Sequence, residues 1–284
     1  MRGRRAAANH PLTAYVLHQY NWSESSLIVE LFTRAQGRVV VVAKGAKRPT
    51  SNFRPLLLPF LPLQVVLGKP PSDESSEVVN LRSVEWCGGV PLLPPQAMLS
   101  GYYLNELLLK LLARQDPHAE LFDAYADTLV ALAQAQNSTG GGGDDAAAEP
   151  AAEAAVLRAF ELVLLRELGV LPELGTVTLT TQPLAAEQRY ALHPHHGVVA
   201  DEGAGAPGAA WQAVDAALAV GTLASLRQAC APAATTLRGP LRALLHYHLG
   251  QRPLRTRQVW QGVQRLVDSA PRPTTTVVRS PEGE

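Results

Sequence analysis

The sequence predicts an α+β chain: a small N-terminal β-barrel followed by an α-helical domain. Three observations carry this. Five short segments rich in β-branched and aromatic residues crowd into residues 12–84. After Gly88-Gly89 the apolar spacing lengthens to the helical period. The charge divides near the same place. Residues 1–70 hold ten Lys/Arg against Glu24 and Glu30, a balance of +8, while the remainder holds fifteen against twenty-three, a balance of −8 that brings the chain to zero. A polyanion-facing module joined to a part with another task has this asymmetry.

The strand segments are Leu12–Tyr20, Ser26–Arg34, Gly37–Ala43, Leu63–Leu67 and Glu77–Val84. Alternation is imperfect in the first, where Tyr15 and Leu17 interleave with Ala14 and Val16, and in the second, where Ile28 and Phe32 interleave with Leu27 and Leu31. Ala35-Gln36-Gly37 puts glycine where a tight hairpin needs a positive φ. Pro49–Pro62 and Gly68–Ser76 are the connecting loops. Five strands this short suit a closed barrel, because closure removes the exposed edges.

Beyond the barrel, Met98, Leu99, Tyr102, Leu104, Leu107, Leu108, Leu111 and Leu112 cover several sides of a buried helix. Asp116 is expected as the N-cap, with Pro117 at the first position, of a helix running through Leu121, Tyr125, Leu129 and Leu132. Residues 137–149, with four consecutive glycines, read as a flexible loop. Pro150 restarts a helix with the stripe Leu157, Phe160, Leu164 and Leu168, and Gly169 suits its C-terminal cap. Val177–Val199 is irregular or weakly β; helices return at Ala209–Leu218, Leu223–Gln228, Leu237–Leu249 and Arg255–Val267. The expected organisation is a basic arm at 1–10, a barrel at 11–88, a helical domain at 89–268 and a disordered tail at 269–284.

Composition narrows the function classes. With 46% hydrophobic residues the chain buries a core, so whole-chain disorder is excluded. Cys87 and Cys230 cannot build a disulfide framework or a four-thiolate zinc site. No apolar run approaches the roughly 20 residues that span a bilayer, and Asn9-His10-Pro11 follows the basic start where a secretory signal would have its apolar core. A soluble cytoplasmic protein is expected.

The strongest functional feature is the set of cations on the barrel. Arg34 and Arg38 flank the hairpin turn; Lys44, Lys47 and Arg48 follow the third strand; Arg54 lies beyond, and Arg2, Arg4 and Arg5 form the arm. A nucleic acid needs such repeated charges, since each neutralised phosphate releases counterions. Trp22 and Phe53 sit in loops where they could stack on bases, while Phe32 and Phe60 read as core. The competing reading is a solvated barrel surface. His193, His195 and His196 form a small cluster with no cysteine nearby, which a surface loop explains better than a metal site. His246 and His248 are read as pointing to different faces of their helix. No phosphate-binding glycine loop, nucleophile elbow or zinc-protease motif occurs. Glu161 and Glu167 are explained by helix pairing with Arg158 and Arg166.

These residues also resemble a known family. Tyr20-Asn21-Trp22-Ser23-Glu24-Ser25-Ser26-Leu27, Leu31-Phe32-Thr33-Arg34, Gly37-Arg38-Val39 and Val42-Ala43-Lys44-Gly45-Ala46-Lys47-Arg48 are similar to the N-terminal signature of the RecO family of bacterial repair and recombination mediators. The likeness continues through Gly101-Tyr102-Tyr103-Leu104-Asn105-Glu106-Leu107, Asp116–Phe122, Phe160-Glu161, Glu167–Gly169 and Leu249–Leu254. The resemblance implies an OB-fold followed by a helical domain and a non-enzymatic role without a cofactor. It further implies binding of single- and double-stranded DNA and annealing of complementary strands. Implied partners are the acidic C-terminal tail of single-stranded DNA-binding protein, RecR and the RecA pathway, at the nucleoid. Some members carry a four-cysteine zinc motif near the region corresponding to 176–200; this sequence has none there. On this reading Arg34, Arg38, Lys44, Lys47, Arg48, Arg54, Arg2, Arg4, Arg5 and Trp22 contact DNA, and Arg114, Arg158 and Arg166 are candidates for an arginine-rimmed tail pocket. An adaptor that binds only proteins is the alternative.

Overall fold

The computed structural model describes residues 10–69, 78–137, 151–203, 205–250, 252–260 and 262. The Arg2/Arg4/Arg5 arm, the glycine-rich loop and the tail from 269 lie outside them, as does the last part of the helix expected at 255–267.

Five strands, β1 (Leu12–Asn21), β2 (Leu27–Thr33), β3 (Gly37–Ala43), β4 (Leu63–Leu67) and β5 (Val79–Trp86), close into a barrel of order β1-β2-β3-β5-β4. All neighbours are antiparallel except β3 and β5, which pair in parallel to complete the OB-type closure. Gly37 has φ 67°, the left-handed value the hairpin turn requires. Val16, Val29, Leu31, Val39, Val41, Leu63, Val65 and Leu81 fill the barrel.

The imperfect alternation has a structural cause: the barrel is apolar outside as well as inside. Tyr15, Leu17 and Phe32 point outward into a second core shared with the helices. Tyr15 and Phe32 meet Phe122 at ring-centroid distances of 5.4 and 5.3 Å, and Tyr125 at 5.1 and 6.1 Å. A register shift between Val16 and His18 marks a bulge in β1.

The helices are α1 (Met98–Leu111), α2 (Ala119–Asn137), α3 (Ala151–Glu167), α4 (Gly208–Val220), α5 (Leu223–Cys230) and α6 (Ala234–Leu249). α3 is the axle of the domain, with every residue from Glu153 to Leu165 buried. Gly169, at φ 68°, turns the chain after it, as expected of a C-terminal cap. The segment expected to be weakly β forms β6 (Arg189–His193) and β7 (Gly197–Ala200), joined by β8 (Ala206–Pro207) in a sheet of order β7-β6-β8.

Asp116 does not cap α2, which begins three residues later. Instead Gln115 N–H donates to the Arg38 carbonyl at 2.8 Å, and the Asp116 backbone lies so close over Gly37 that a Cβ there would sit 1.8 Å from its carbonyl oxygen. Docking of this loop on the barrel overrides the local capping signal.

Candidate functional site

The predicted cations divide between the two ends of the β2–β3 hairpin. At roughly 3.3 Å per residue, a seven-residue strand holds them about 20 Å apart. At the β2–β3 turn, Arg34 makes a two-pronged ion pair with Asp123 of α2, at 2.9 Å from both Nε and Nη2. Arg38 leaves solvent further: its guanidinium donates to the Leu109 carbonyl and lies 3.5 Å from Glu30, which also receives Arg114 at 2.8 Å. Burial pulls the Arg38 pKa below the usual arginine range, against the attraction of Glu30. Arg38 and Arg114 therefore tie the barrel to the helices through buried Glu30 and the Leu109 carbonyl, with the exposed Arg34–Asp123 pair beside them.

The other end is open. The loop after β1 carries Trp22, which is 64% exposed, and the loop after β3 carries Lys44 and Arg48, both exposed. The two loops are tied together. Lys47 N–H donates to the Ser25 carbonyl and its Nζ to the Ser23 carbonyl, each at 2.9 Å, and Ala43 pairs with Leu27 across β3 and β2. Lys47 thus positions the Trp22 loop while adding its charge beside it. Arg54 is exposed further along the second loop, but Phe53 packs on the barrel core and is removed as a stacking candidate. Tyr20, 48% exposed and edge-on to His18 at 4.5 Å, adds an aromatic that the sequence reading missed. The bulge hides it, because the bulge reverses which residues of β1 face outward. An aromatic pair rimmed by cations at the first loop of an OB barrel can stack bases while holding phosphates.

A second site lies in the helical domain: a pocket of about 380 Å³. Leu99, Leu157, Leu245, Leu254 and Trp260 give it apolar walls, and Arg158, Arg238, Arg242 and Arg257 give it charge. A shallower groove between Arg238, Arg242, His246 and Arg257 continues from it. Of the three arginines expected here, Arg158 alone lines the pocket; Arg114 is at the barrel seam, and Arg166 donates to the Leu218 carbonyl at 2.8 Å. Arg158 is buried against Glu161 at 2.7 Å, and Glu161 also accepts from Tyr103 Oη at 2.6 Å. The expected Arg158–Glu161 pairing is present, whereas Glu167 lies 3.8 Å from His118. Burial, then the neighbouring Arg238, lower the Arg242 pKa, and the buried Glu153 also lines the pocket.

The net charge of the C-terminal part conceals this site. Residues 221–260 contain Arg227, Arg238, Arg242, Arg252, Arg255 and Arg257 and no acid, and Arg238, Arg242 and His246 recur at four-residue spacing on α6. His246 therefore shares the face of two arginines. His195 stacks edge-on against Tyr247 at 4.6 Å, and no group of three metal-ligating side chains occurs among the described residues. Among them, too, no helix is long and apolar enough to cross a membrane.

Comparison with known proteins agrees with this architecture. Residues 9–88 match the family described as Recombination protein O N terminal, and residues 95–140 match Recombination protein O C terminal. The chain is 51% identical over 260 residues to DNA repair protein RecO of Variovorax paradoxus (strain S110), covering 89% of this chain and 96% of that protein. It is 49% identical over 263 residues to DNA repair protein RecO of Polaromonas naphthalenivorans (strain CJ2), covering 91% and 98%. Likeness of this extent, over both the barrel and the helices, makes the chain a member of the RecO family.

Proposed function

We propose that this chain is a non-enzymatic DNA repair and recombination mediator of the cytoplasm and nucleoid. It binds single- and double-stranded DNA on the open end of the barrel and anneals complementary strands. With RecR, it helps load RecA onto DNA coated by single-stranded DNA-binding protein. The observation that carries the DNA reading is the Trp22 loop, held by Lys47 and flanked by Lys44 and Arg48. Phosphates held there leave bases free to meet a complement, and the cations screen the repulsion between two polyanions. Arg54 and the Arg2/Arg4/Arg5 arm extend the contact, while Arg34 and Arg38 support the barrel from its other end. The RecR and RecA roles are supported by family membership.

The tail of single-stranded DNA-binding protein is assigned to the Arg158 pocket, whose apolar walls and arginine rim suit an acidic peptide with an apolar end. Fluorescence anisotropy of labelled single-stranded DNA across a salt series tests the DNA site. Replacing Lys44, Lys47 and Arg48 by Ala is expected to weaken binding and to flatten the log–log salt slope by about 0.7 per lost phosphate contact. Identical curves would move the site off this end of the barrel. Negligible DNA binding by the intact protein, with peptide binding retained, would establish the protein-only adaptor.

A further inference from the structure

The segment Gly101–Leu107 of α1 is among the most distinctive of the sequence, and its side chains serve different parts of the molecule. Asn105 turns to the barrel, donating to the Val16 and Leu17 carbonyls at 3.3 and 3.1 Å and accepting from Tyr125 Oη at 2.5 Å. Glu106, one residue on and about 100° around the helix, turns the other way. Its carboxylate accepts from Arg255 N–H at 2.8 Å, from Thr256 N–H at 2.9 Å and from Thr256 Oγ1 at 2.7 Å, and it pairs with Lys110 at 2.8 Å. Lys110 also donates to the Pro253 carbonyl, at 2.5 Å. Residues 255–260 are helical, so Glu106 supplies, from 150 positions away, an acceptor for N–H groups that the first turn of a helix leaves open.

What this carboxylate holds is one wall of the pocket. Pro253, Leu254, Thr256, Arg257, Gln258 and Trp260 face α1, α3 and α6 across it. Among the described residues, every hydrogen bond from 252–260 to the rest of the protein ends on Glu106 or begins at Lys110. Glu106 itself does not line the cavity.

We infer that Glu106, seconded by Lys110, is the positioning residue of the peptide pocket: it fixes the 253–260 wall and so sets the affinity for an acidic peptide without touching it. The inference rests on reading the pocket as the tail site. It separates the two functions, because breaking this tie impairs the pocket and leaves the Trp22 end of the barrel intact.

The test uses the full chain, Glu106→Ala and Glu106→Gln, and a fluorescein-labelled peptide made of a run of aspartates followed by leucine and phenylalanine with a free carboxyl end. Peptide affinity is read by anisotropy, the wall by hydrogen exchange at the Arg255 and Thr256 amides, and the barrel by single-stranded DNA affinity. Glu106→Ala is expected to bind the peptide roughly tenfold more weakly or worse and to lose protection at both amides, with DNA affinity unchanged. Glu106→Gln, which keeps one carbonyl acceptor, falls between the two; this graded rescue would not follow from general loss of structure. Wild-type peptide affinity in Glu106→Ala, or retained amide protection, would overturn the inference alone. An intact protein that ignores the peptide would overturn the pocket reading and the inference with it.

Discussion

Arg34 and Lys44 look alike in the sequence, each a cation beside a strand, yet one is engaged and the other open. Arg34 and Asp123 are both about half exposed (54% and 53%), so solvent screens their ion pair and it adds little to stability. Arg34→Ala should therefore leave both the melting temperature and the DNA salt slope close to wild type, which sets it apart from the Lys44/Lys47/Arg48 set. Glu30 is different: at 4% exposure it serves both Arg38 and Arg114. Glu30→Ala should destabilise by about 3 kcal/mol in urea unfolding, because it strands the half-buried Arg38 without a carboxylate. Part of this division was legible beforehand. The hairpin pattern already put Arg34 and Arg38 at one end of two strands and Lys44 at the other. That Asp123 and Glu30 would engage the first group was not legible, since the partners lie 89 residues away in one case and on the neighbouring strand in the other.

At the scale of elements, all five strands were visible, because short β-branched runs between turns say strand whatever surrounds them. The face each residue takes was not. β1 and β2 are apolar on both sides, so alternation cannot choose between barrel interior and helical seam, and the bulge at Leu17 then exchanges the two. The helices were readable for the same local reason, and α2 was misplaced at its start because a tertiary contact, Asp116 over Gly37, outweighs a cap. That contact gives a prediction. Gly37→Ala meets both a φ of 67° and the Asp116 carbonyl, so it should cost more than about 2 kcal/mol, measured by chemical denaturation. α1 yields another, through pH. Burial alone would raise the Glu106 pKa, but Lys110 and the Thr256 and Arg255 donors outweigh it and hold the carboxyl below its ordinary value. A depressed carboxylate pKa contributes stability that is present above the unfolded value and lost as pH falls through the folded one. Protection of the Arg255 and Thr256 amides, corrected for intrinsic exchange, should thus persist at neutral pH and be lost only as pH falls below the ordinary glutamate range.

At the scale of the molecule, the barrel and helices share one core. Tyr15, Leu17 and Phe32 leave the barrel to join Phe122, Tyr125 and Phe160, and burial drives the Tyr15 pKa up to about 12. Asn105 and Tyr125 add a buried polar tie across the same seam. Charge and periodicity divide the sequence near residue 88, which suggests two independent units, but a boundary of composition is not a boundary of packing. A fragment of residues 10–94 would carry the Trp22 and Lys44 loops intact while exposing the outward faces of β1 and β2, an apolar patch of the kind that drives association. It is expected to self-associate in sedimentation, whereas the full chain should unfold in a single transition. The exposed Trp22 and the buried Trp211, whose Nε1–H donates to the Tyr190 carbonyl at 3.0 Å, report on the two halves separately. Single-tryptophan variants that retain one or the other should give coincident urea midpoints. Separated midpoints, or a monomeric fragment, would mean that the aromatic seam is an interface between domains that fold alone. The barrel would then act independently of whatever the pocket holds.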